Sequence, residues 1–134
     1  MTQMKYCQGT ISTLGSPVLL ARVVDYYSQI LTSAQITAIS YSVFLLEDHG
    51  GSLKKTALTG YSNNALNVSE VFFETLQKDE TWTSDTQGYN FRHLLDNTNS
   101  ALFSQSLRHY QVEYTLELAD GSPPIGILFR LFTL

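Results

Sequence analysis

The feature that most limits the fold of this chain is a strict alternation of apolar and polar side chains near its end. Between His109 and Leu118 every second residue is apolar, and the residues between them are polar. A repeat of two is typical of a β-strand with one buried face and one wet face. The turn residues of 120–124 follow, and residues 125–134 are again apolar-rich. This part of the sequence therefore predicts a β-hairpin.

Further stretches have strand character. Residues 36–46 alternate with the same period, and residues 89–95 do so after the chain breaker Gly88. Residues 18–27 are rich in β-branched and aromatic side chains, which favours a strand over a short helix. We expect a turn at 47–51, a short return strand at 53–58 and a polar loop over 60–67. Residues 6–11 predict an arm or an edge strand.

One segment carries a helix signal. Asn67 is a good N-cap residue, and Glu70 stands three positions later, as in a capping box. Apolar residues then recur at helical spacing, and Lys78 would suit the C-terminal end of the helix dipole. The pattern predicts a helix of about ten residues over 68–77.

Six or seven strands with polar turns and one short helix predict a mainly-β fold. We expect a single antiparallel, Ig-like β-sandwich over residues 1–134, with 1–17 as a possible extended arm, and a small barrel as the second choice. The last strand is apolar on both faces, with Leu128, Phe132 and Leu134 beside Arg130. Such a strand needs cover from the helix at 68–77 or from another chain, and we favour a contribution from another chain.

Composition narrows the classes of partner. The chain has 134 residues, of which 15% are charged, and its net charge is −4. Nucleic-acid binding relies on clustered Lys and Arg, so we expect no nucleic-acid partner. No apolar run approaches the roughly 18 residues of a spanning helix, and the polar N-terminus predicts no secretory signal. The lone Cys7 predicts neither an internal disulfide nor a Cys-rich zinc site.

Catalytic patterns are weak. The histidines His49, His93 and His109 lack ligand spacing, and His93 is expected to be a partly buried structural residue. The acidic residues near Trp82, which are Asp79, Glu80 and Asp85, match no calcium loop. Glu113 and Glu117 would lie about 13 Å apart on one strand face, farther than the carboxylates of glycosidases. We therefore predict no enzyme activity, no cofactor and no metal.

Two segments carry a resemblance to a known group. Residues 71–95 contain a Thr-Leu pair, a Trp-Thr pair, an aspartate and the sequence Gly-Tyr-Asn-Phe, and residues 110–134 contain a Tyr-x-Val-Glu strand and the final hairpin. These features are Thr75 and Leu76, Trp82 and Thr83, Asp85, Gly88 to Phe91, and Tyr110 to Glu113. Their order resembles that of small β-sandwich virion accessory proteins of tailed phages.

The resemblance implies a non-enzymatic structural protein that decorates or joins parts of a virion. Capsid cement proteins of this kind stabilise the shell by binding the major capsid protein, often as dimers or trimers. The expected location is then the virion, assembled in the host cytoplasm, with no membrane partner. A neck, tail or baseplate protein is the first alternative. A carbohydrate-binding β-sandwich that uses exposed aromatics such as Trp82 and Tyr89 is another. An enzyme would need His93, His109 or the acidic cluster to converge in a pocket.

Aromatic side chains dominate the energetics of protein interfaces, so they are the best interface candidates. The predicted interface residues are Tyr6, Tyr26, Trp82, Tyr89, Phe132 and Leu134. For Trp82, a place in the core is an equally weighted alternative.

Overall fold

A computed structural model describes residues 5–8, 10–12, 18–58, 60–79, 82, 86–95 and 109–132. The described part holds ten strands, one 3₁₀ turn and one short α-helix. The strands are β1 Lys5–Gln8, β2 Thr10–Ser12, β3 Val18–Ala21, β4 Ile36–His49, β5 Ser52–Ala57, β6 Asn64–Leu66, β7 Phe72–Gln77, β8 Tyr89–Leu94, β9 His109–Leu118 and β10 Ile125–Phe132. The 3₁₀ turn is Ser33–Gln35, and the helix α1 is Val68–Val71.

The strands form two sheets. The large sheet has the order β1-β10-β9-β4-β5, and β6 pairs with the earlier part of β4; the small sheet has the order β2-β3-β8-β7. All pairings are antiparallel except that of β1 with β10, which is parallel. The predicted mainly-β sandwich with one short helix is confirmed. Residues 5–8 and 10–12, within the predicted arm, lie at an edge of each sheet.

The two strongest sequence patterns are confirmed in position. The strand predicted at 109–118 is β9, and the turn and return strand after it form a hairpin with β10. The strand predicted at 36–46 is longer than expected, because β4 continues through residues 47–49 and turns only at Gly50 and Gly51. Both glycines have positive φ, at 63° and 91°, which favours residues without a Cβ.

The predicted ten-residue helix is wrong in length. Asn67 does cap α1, since its Oδ1 accepts a hydrogen bond from the Ser69 N–H at 3.2 Å, but the helix ends after a single turn at Val71. From Phe72 the chain is extended and pairs with β8. Aromatic and β-branched residues favour strands, and an open sheet edge supplies backbone partners that outweigh the helical spacing.

Two smaller expectations also fail. Within the predicted strand 18–27 only Val18–Ala21 is a strand, and the chain then forms a tight loop closed by a bridge between Val24 and Ile30. The predicted loop at 60–67 contains strand β6. The described strands thus number ten instead of six or seven.

The core lies between the two sheets and is rich in aromatic rings. Phe91, on β8 of the small sheet, is fully buried and contacts Phe72, Tyr114 and Phe129, with ring centroids 4.9–6.3 Å apart. The inner face of β10 is therefore covered by the opposite sheet, while α1 packs against β4, β7 and β8. The helix at 68–77, one of the two covers considered for the last strand, is reduced to the single turn α1.

Candidate binding site at one end of the sandwich

A tight loop after β3 dominates one end of the sandwich. Asp25 is 8% exposed, and its Oδ1 accepts hydrogen bonds from the Tyr27 N–H at 2.8 Å and the Gln29 N–H at 3.0 Å. The Asp25 N–H donates to the Gln29 carbonyl at 2.8 Å. Ser28 has a φ of 62°, a conformation that these bonds hold in place. Residues 25–29, here called the tyrosine loop, are thus braced from within by a single carboxylate.

The tyrosine loop is also tied to the body of the protein. Gln35 Nε2 donates to Asp25 Oδ2 at 3.2 Å, and the Gln35 carbonyl accepts from the Ala119 N–H at 2.8 Å. At the root of the loop, Asn90 is fully buried. Its Oδ1 accepts from the Val23 N–H at 2.7 Å, and its Nδ2 donates to the carbonyls of Val23 and Leu31, both at 2.9 Å. The loop therefore has few conformations available.

A cavity of about 220 Å³ lies between this loop and the β9–β10 turn. This end cavity is lined by Asp25, Tyr26, Tyr27, Ala34, Gln35, Leu118, Ala119, Asp120 and Ser122. Tyr27 is 80% exposed, the largest value among the exposed large hydrophobic residues of the described chain. Tyr26 is 40% exposed, and its hydroxyl donates to the carbonyls of Pro123 and Pro124 at 3.0 and 3.3 Å. The predicted interface residue Tyr26 thus belongs to this site.

Two carboxylates give the end cavity a negative character. Asp120 is exposed, and its Oδ1 accepts from the Ser122 N–H at 2.9 Å. The hydrogen bonds from Ser122 lower the pKa of Asp120, while the nearby charge of Asp25 acts in the opposite direction. Asp120 is therefore ionised at neutral pH, and the two carboxylates are close enough to repel each other.

A second group of ring-bearing residues lies inside the sandwich. This interior cluster consists of Tyr41, His93 and Tyr114, from β4, β8 and β9. His93 Nδ1 and the Tyr114 hydroxyl share a hydrogen bond of 2.6 Å that joins the two sheets. Burial lowers the pKa of His93 to about 4, and burial, with a smaller effect of Tyr41, raises the pKa of Tyr114 well above 10. His93 and Tyr114 are therefore neutral at physiological pH, which agrees with the structural histidine predicted at position 93.

The outer face of the large sheet carries a polar network. Lys55 Nζ lies 2.7 Å from Glu113 Oε2, which also accepts from Gln111 Nε2 at 2.6 Å. Gln111 Oε1 in turn accepts from Arg130 Nε at 3.0 Å. Lys55 also lies over the Phe44 ring, 4.3 Å from its centroid. The expectation that Glu113 marks the wet side of the sheet agrees with this network.

The aromatic residues Trp82 and Tyr89 pack on each other. Tyr89 is only 3% exposed, and its hydroxyl donates to Asp79 Oδ2 at 2.5 Å. Trp82 is half-buried, with its ring centroid 5.7 Å from that of Tyr89. Tyr89 is thus not the exposed aromatic residue that the carbohydrate-binding alternative required, because strand β8 turns its ring into the protein.

For two of the remaining predicted interface residues, the structure gives the strand and the register. Tyr6 is on β1 opposite Gly126, and Phe132 is on β10 opposite His109. Leu134 lies outside the described residues. Glu80 and Asp85 of the acidic cluster also lie outside them.

The described residues contain no group of three His, Cys, Asp or Glu side chains that could hold a metal ion. Neither helical segment in those residues has the length and apolar run that a membrane-spanning helix requires.

The sequence does not reveal the tyrosine loop, because the composition of residues 18–27 predicts one strand. One local feature did indicate a turn: aspartate and serine are common in turns, where the aspartate side chain accepts hydrogen bonds from nearby backbone N–H groups, and here Asp25 stands three residues before Ser28. Nothing in the local sequence indicated that residues 118–122 would face this loop.

The fold and the site define a two-sheet β-sandwich with a loop-borne cavity at one end. No family model, no curated protein and no solved structure matches the chain. The chain's own residues are therefore the basis for inferring its function.

Proposed function

We propose that this protein is a non-enzymatic structural component of a tailed-phage virion, a capsid cement or decoration protein that stabilises the shell by binding the major capsid protein. The resemblance carried by residues 71–95 and 110–134 supports the virion assignment. The observation that carries the binding role is the tyrosine loop, which presents Tyr27 to solvent at 80% exposure from a backbone held by Asp25.

Rigid presentation of an aromatic residue favours binding. A tyrosine has few rotatable bonds and combines an apolar ring with a polar hydroxyl, so it contributes a large contact area at low entropic cost. Hydrogen bonds from the Tyr27 and Gln29 N–H groups fix the loop before any partner binds. The loop therefore loses little conformational entropy on binding, because it was ordered during folding. An exposed aromatic side chain on a rigid loop is well suited to be an anchor in a protein interface.

The site also agrees with a role in a permanent assembly. Loops held by a rigid scaffold commonly carry binding residues, and this loop is held by a buried side chain of the small sheet, Asn90. The further expectation of a dimer or trimer belongs to this proposal, and light scattering on the purified protein measures it.

The decisive experiment is mass spectrometry and cryo-electron microscopy of purified particles. A cement protein should occur at a copy number comparable to that of the major capsid protein and should lie on the shell. A copy number of only a few per particle, with density at the neck, tail or baseplate, would move the protein to those structures. Absence from intact particles would overturn the virion assignment.

Matched variants test whether the tyrosine loop makes the contact. Tyr27→Ala should lower the occupancy on particles at least tenfold at limiting protein, the effect of removing an interface anchor worth about 1.4 kcal/mol or more. Leu94→Ala is the control, because Leu94 is also exposed, at 51%, but does not line the end cavity. Equal occupancy of the two variants would show that another surface binds the shell.

A further inference from the structure

We propose that the end cavity binds a guanidinium group, the side chain of an arginine presented by the protein's partner. The identity of that partner rests on the proposed function, whereas the affinity of the cavity for guanidinium can be measured on the isolated protein. Three properties of the cavity lead to this inference: its size, its charge and its aromatic rings.

The size of the cavity selects a single side chain. Pockets that enclose drug-sized molecules measure about 300–1,000 Å³. The end cavity, at about 220 Å³, is smaller. It suits a group inserted from outside, with the rest of the partner resting on the rim, better than it suits a whole organic ligand.

The charge of the cavity selects a cation. Its described lining includes Asp25 and Asp120 but no lysine, arginine or histidine. The backbone and side-chain hydrogen bonds from Ser122 use two of about four lone-pair sites of the Asp120 carboxylate, so that exposed group keeps acceptor capacity. Both carboxylates would attract a bound cation, whereas a neutral ligand would gain nothing from their charge.

The rings and the acceptors together favour guanidinium over ammonium. A guanidinium is planar, carries five N–H donors and stacks on aromatic faces, whereas an ammonium is a strongly hydrated point charge. Tyr26 and Tyr27 provide rings at the cavity, and cation–π contacts on aromatic faces are made more often by arginine than by lysine. Asp120 provides the carboxylate for a charge-assisted hydrogen bond.

The test is a nuclear magnetic resonance titration of the ¹⁵N-labelled full chain with argininamide. We expect shifts in the backbone amides of Tyr27, Gln35, Ala119 and Ser122, which line the cavity. Citrullinamide has the same α-amino group and nearly the same shape, but an uncharged ureido group replaces the guanidinium, so it should cause no saturable shifts at these amides. Lysinamide should bind more weakly than argininamide. Added salt should weaken argininamide binding, because the Asp120 carboxylate is exposed and its attraction for the guanidinium is screened by ions.

Variants assign the binding to named side chains. Asp120→Asn retains the oxygen that accepts from Ser122 and removes the charge, so we expect argininamide affinity to fall roughly tenfold. Tyr27→Ala should reduce it by a similar factor, while Tyr27→Phe, which retains a ring, should largely preserve it. Glu70→Gln removes an exposed carboxylate on α1, away from the cavity, and should change nothing.

Several outcomes would overturn the inference. They are equal binding of argininamide and citrullinamide, shifts outside the cavity only, an Asp120→Asn affinity equal to that of Glu70→Gln, or saturable binding of a neutral sugar at these amides without argininamide binding. The two proposals also fail separately. Argininamide binding by a protein absent from virions would refute the virion role alone, and presence on the shell without argininamide binding would refute the guanidinium site alone.

Discussion

The interior cluster and the end cavity both place tyrosine rings beside ionisable side chains, yet they differ in every property that matters for binding. In the interior cluster, His93 and Tyr114 bind each other and are held neutral by burial. In the end cavity, Asp120 is ionised and Tyr27 is exposed. The same residue types therefore serve as a joint between sheets in one place and as an open surface in the other. Solvent access decides which of these two roles the residues have.

The two regions are also connected. Asn90 lies on β8 between Tyr89 and Phe91, and its amide holds the root of the tyrosine loop. The core strand that carries Phe91 and His93 thus also positions the loop at the end. Changes in the interior should reduce stability strongly, and changes at the end should affect stability little.

The largest effect is expected from Phe91→Ala. Phe91 is fully buried and contacts three other rings, so its removal leaves a cavity and should lower the free energy of unfolding by about 4 kcal/mol. Leu94→Ala on the same strand is the control, with an expected change within about 0.5 kcal/mol because Leu94 is exposed. Urea denaturation of both variants measures the difference. Similar losses in the two would mean that β8 does not separate a buried face from an exposed one.

The second effect concerns acid. The unfolded chain protonates His93 near pH 6.5, but the folded chain does so only near pH 4, so between these values the unfolded state binds more protons. The contribution of neutral His93 to the free energy of unfolding is complete above pH 6.5. It is lost as the pH falls towards 4, by up to about 3 kcal/mol. Urea denaturation from about pH 7 down to about pH 4 measures this loss.

The matched variant for the acid experiment is His93→Gln, which retains a hydrogen-bonding side chain near Tyr114 but does not titrate. The carboxylates are common to both proteins, so the difference between the two pH profiles isolates His93. We expect the variant to lose less stability over this pH range. Parallel profiles would show that His93 is as accessible to protons in the folded chain as in the unfolded one.

The third effect tests the link between the regions. Asn90→Ala removes the partners of the Val23 N–H and the Leu31 carbonyl, while the Val23 carbonyl keeps a bond from the Leu31 N–H at 3.0 Å. Two buried backbone groups lose their hydrogen bonds, so the free energy of unfolding should fall by about 2 kcal/mol. Asn64→Ala is the control, because Asn64 makes one exposed bond, to the Gly60 carbonyl at 2.9 Å. If Asn90→Ala cost no more than the control, water would be replacing the amide.

The sequence predicted the sheets better than it predicted the site. Alternation identified β9, whose two faces differ sharply in polarity, and the part of β4 in which Ser40 and Ser42 alternate with apolar residues. It failed at Phe72–Gln77, where apolar spacing suited a helix and only the neighbouring strand β8 supplied the competing backbone partners. Local patterns carry no information about such long-range pairing.

Tyr26 is the one residue of the candidate site that the sequence predicted, and the prediction came from the general preference of interfaces for aromatic side chains. Its partner Tyr27 and the carboxylates Asp25 and Asp120 were not selected, because the cavity forms between segments about 95 positions apart in the chain. Tyr89 was selected for the same reason as Tyr26 but is buried. Residue type alone therefore did not distinguish an exposed aromatic side chain from a ring in the core.

The smallest effect tests how firmly the end cavity is held. The Tyr26 hydroxyl joins the tyrosine loop to the carbonyls of Pro123 and Pro124, so Tyr26→Phe should lower the free energy of unfolding by about 0.5 kcal/mol, the low end for a hydrogen bond near solvent. Tyr27→Phe is the matched control, one residue away and 80% exposed, and should leave stability unchanged. Hydrogen exchange gives a second measure, since the Tyr27 and Gln29 amides should exchange faster in Tyr26→Phe than in the control. Equal exchange in both variants would mean that Asp25 alone holds the loop, and that the β9–β10 turn only borders the cavity without bracing it.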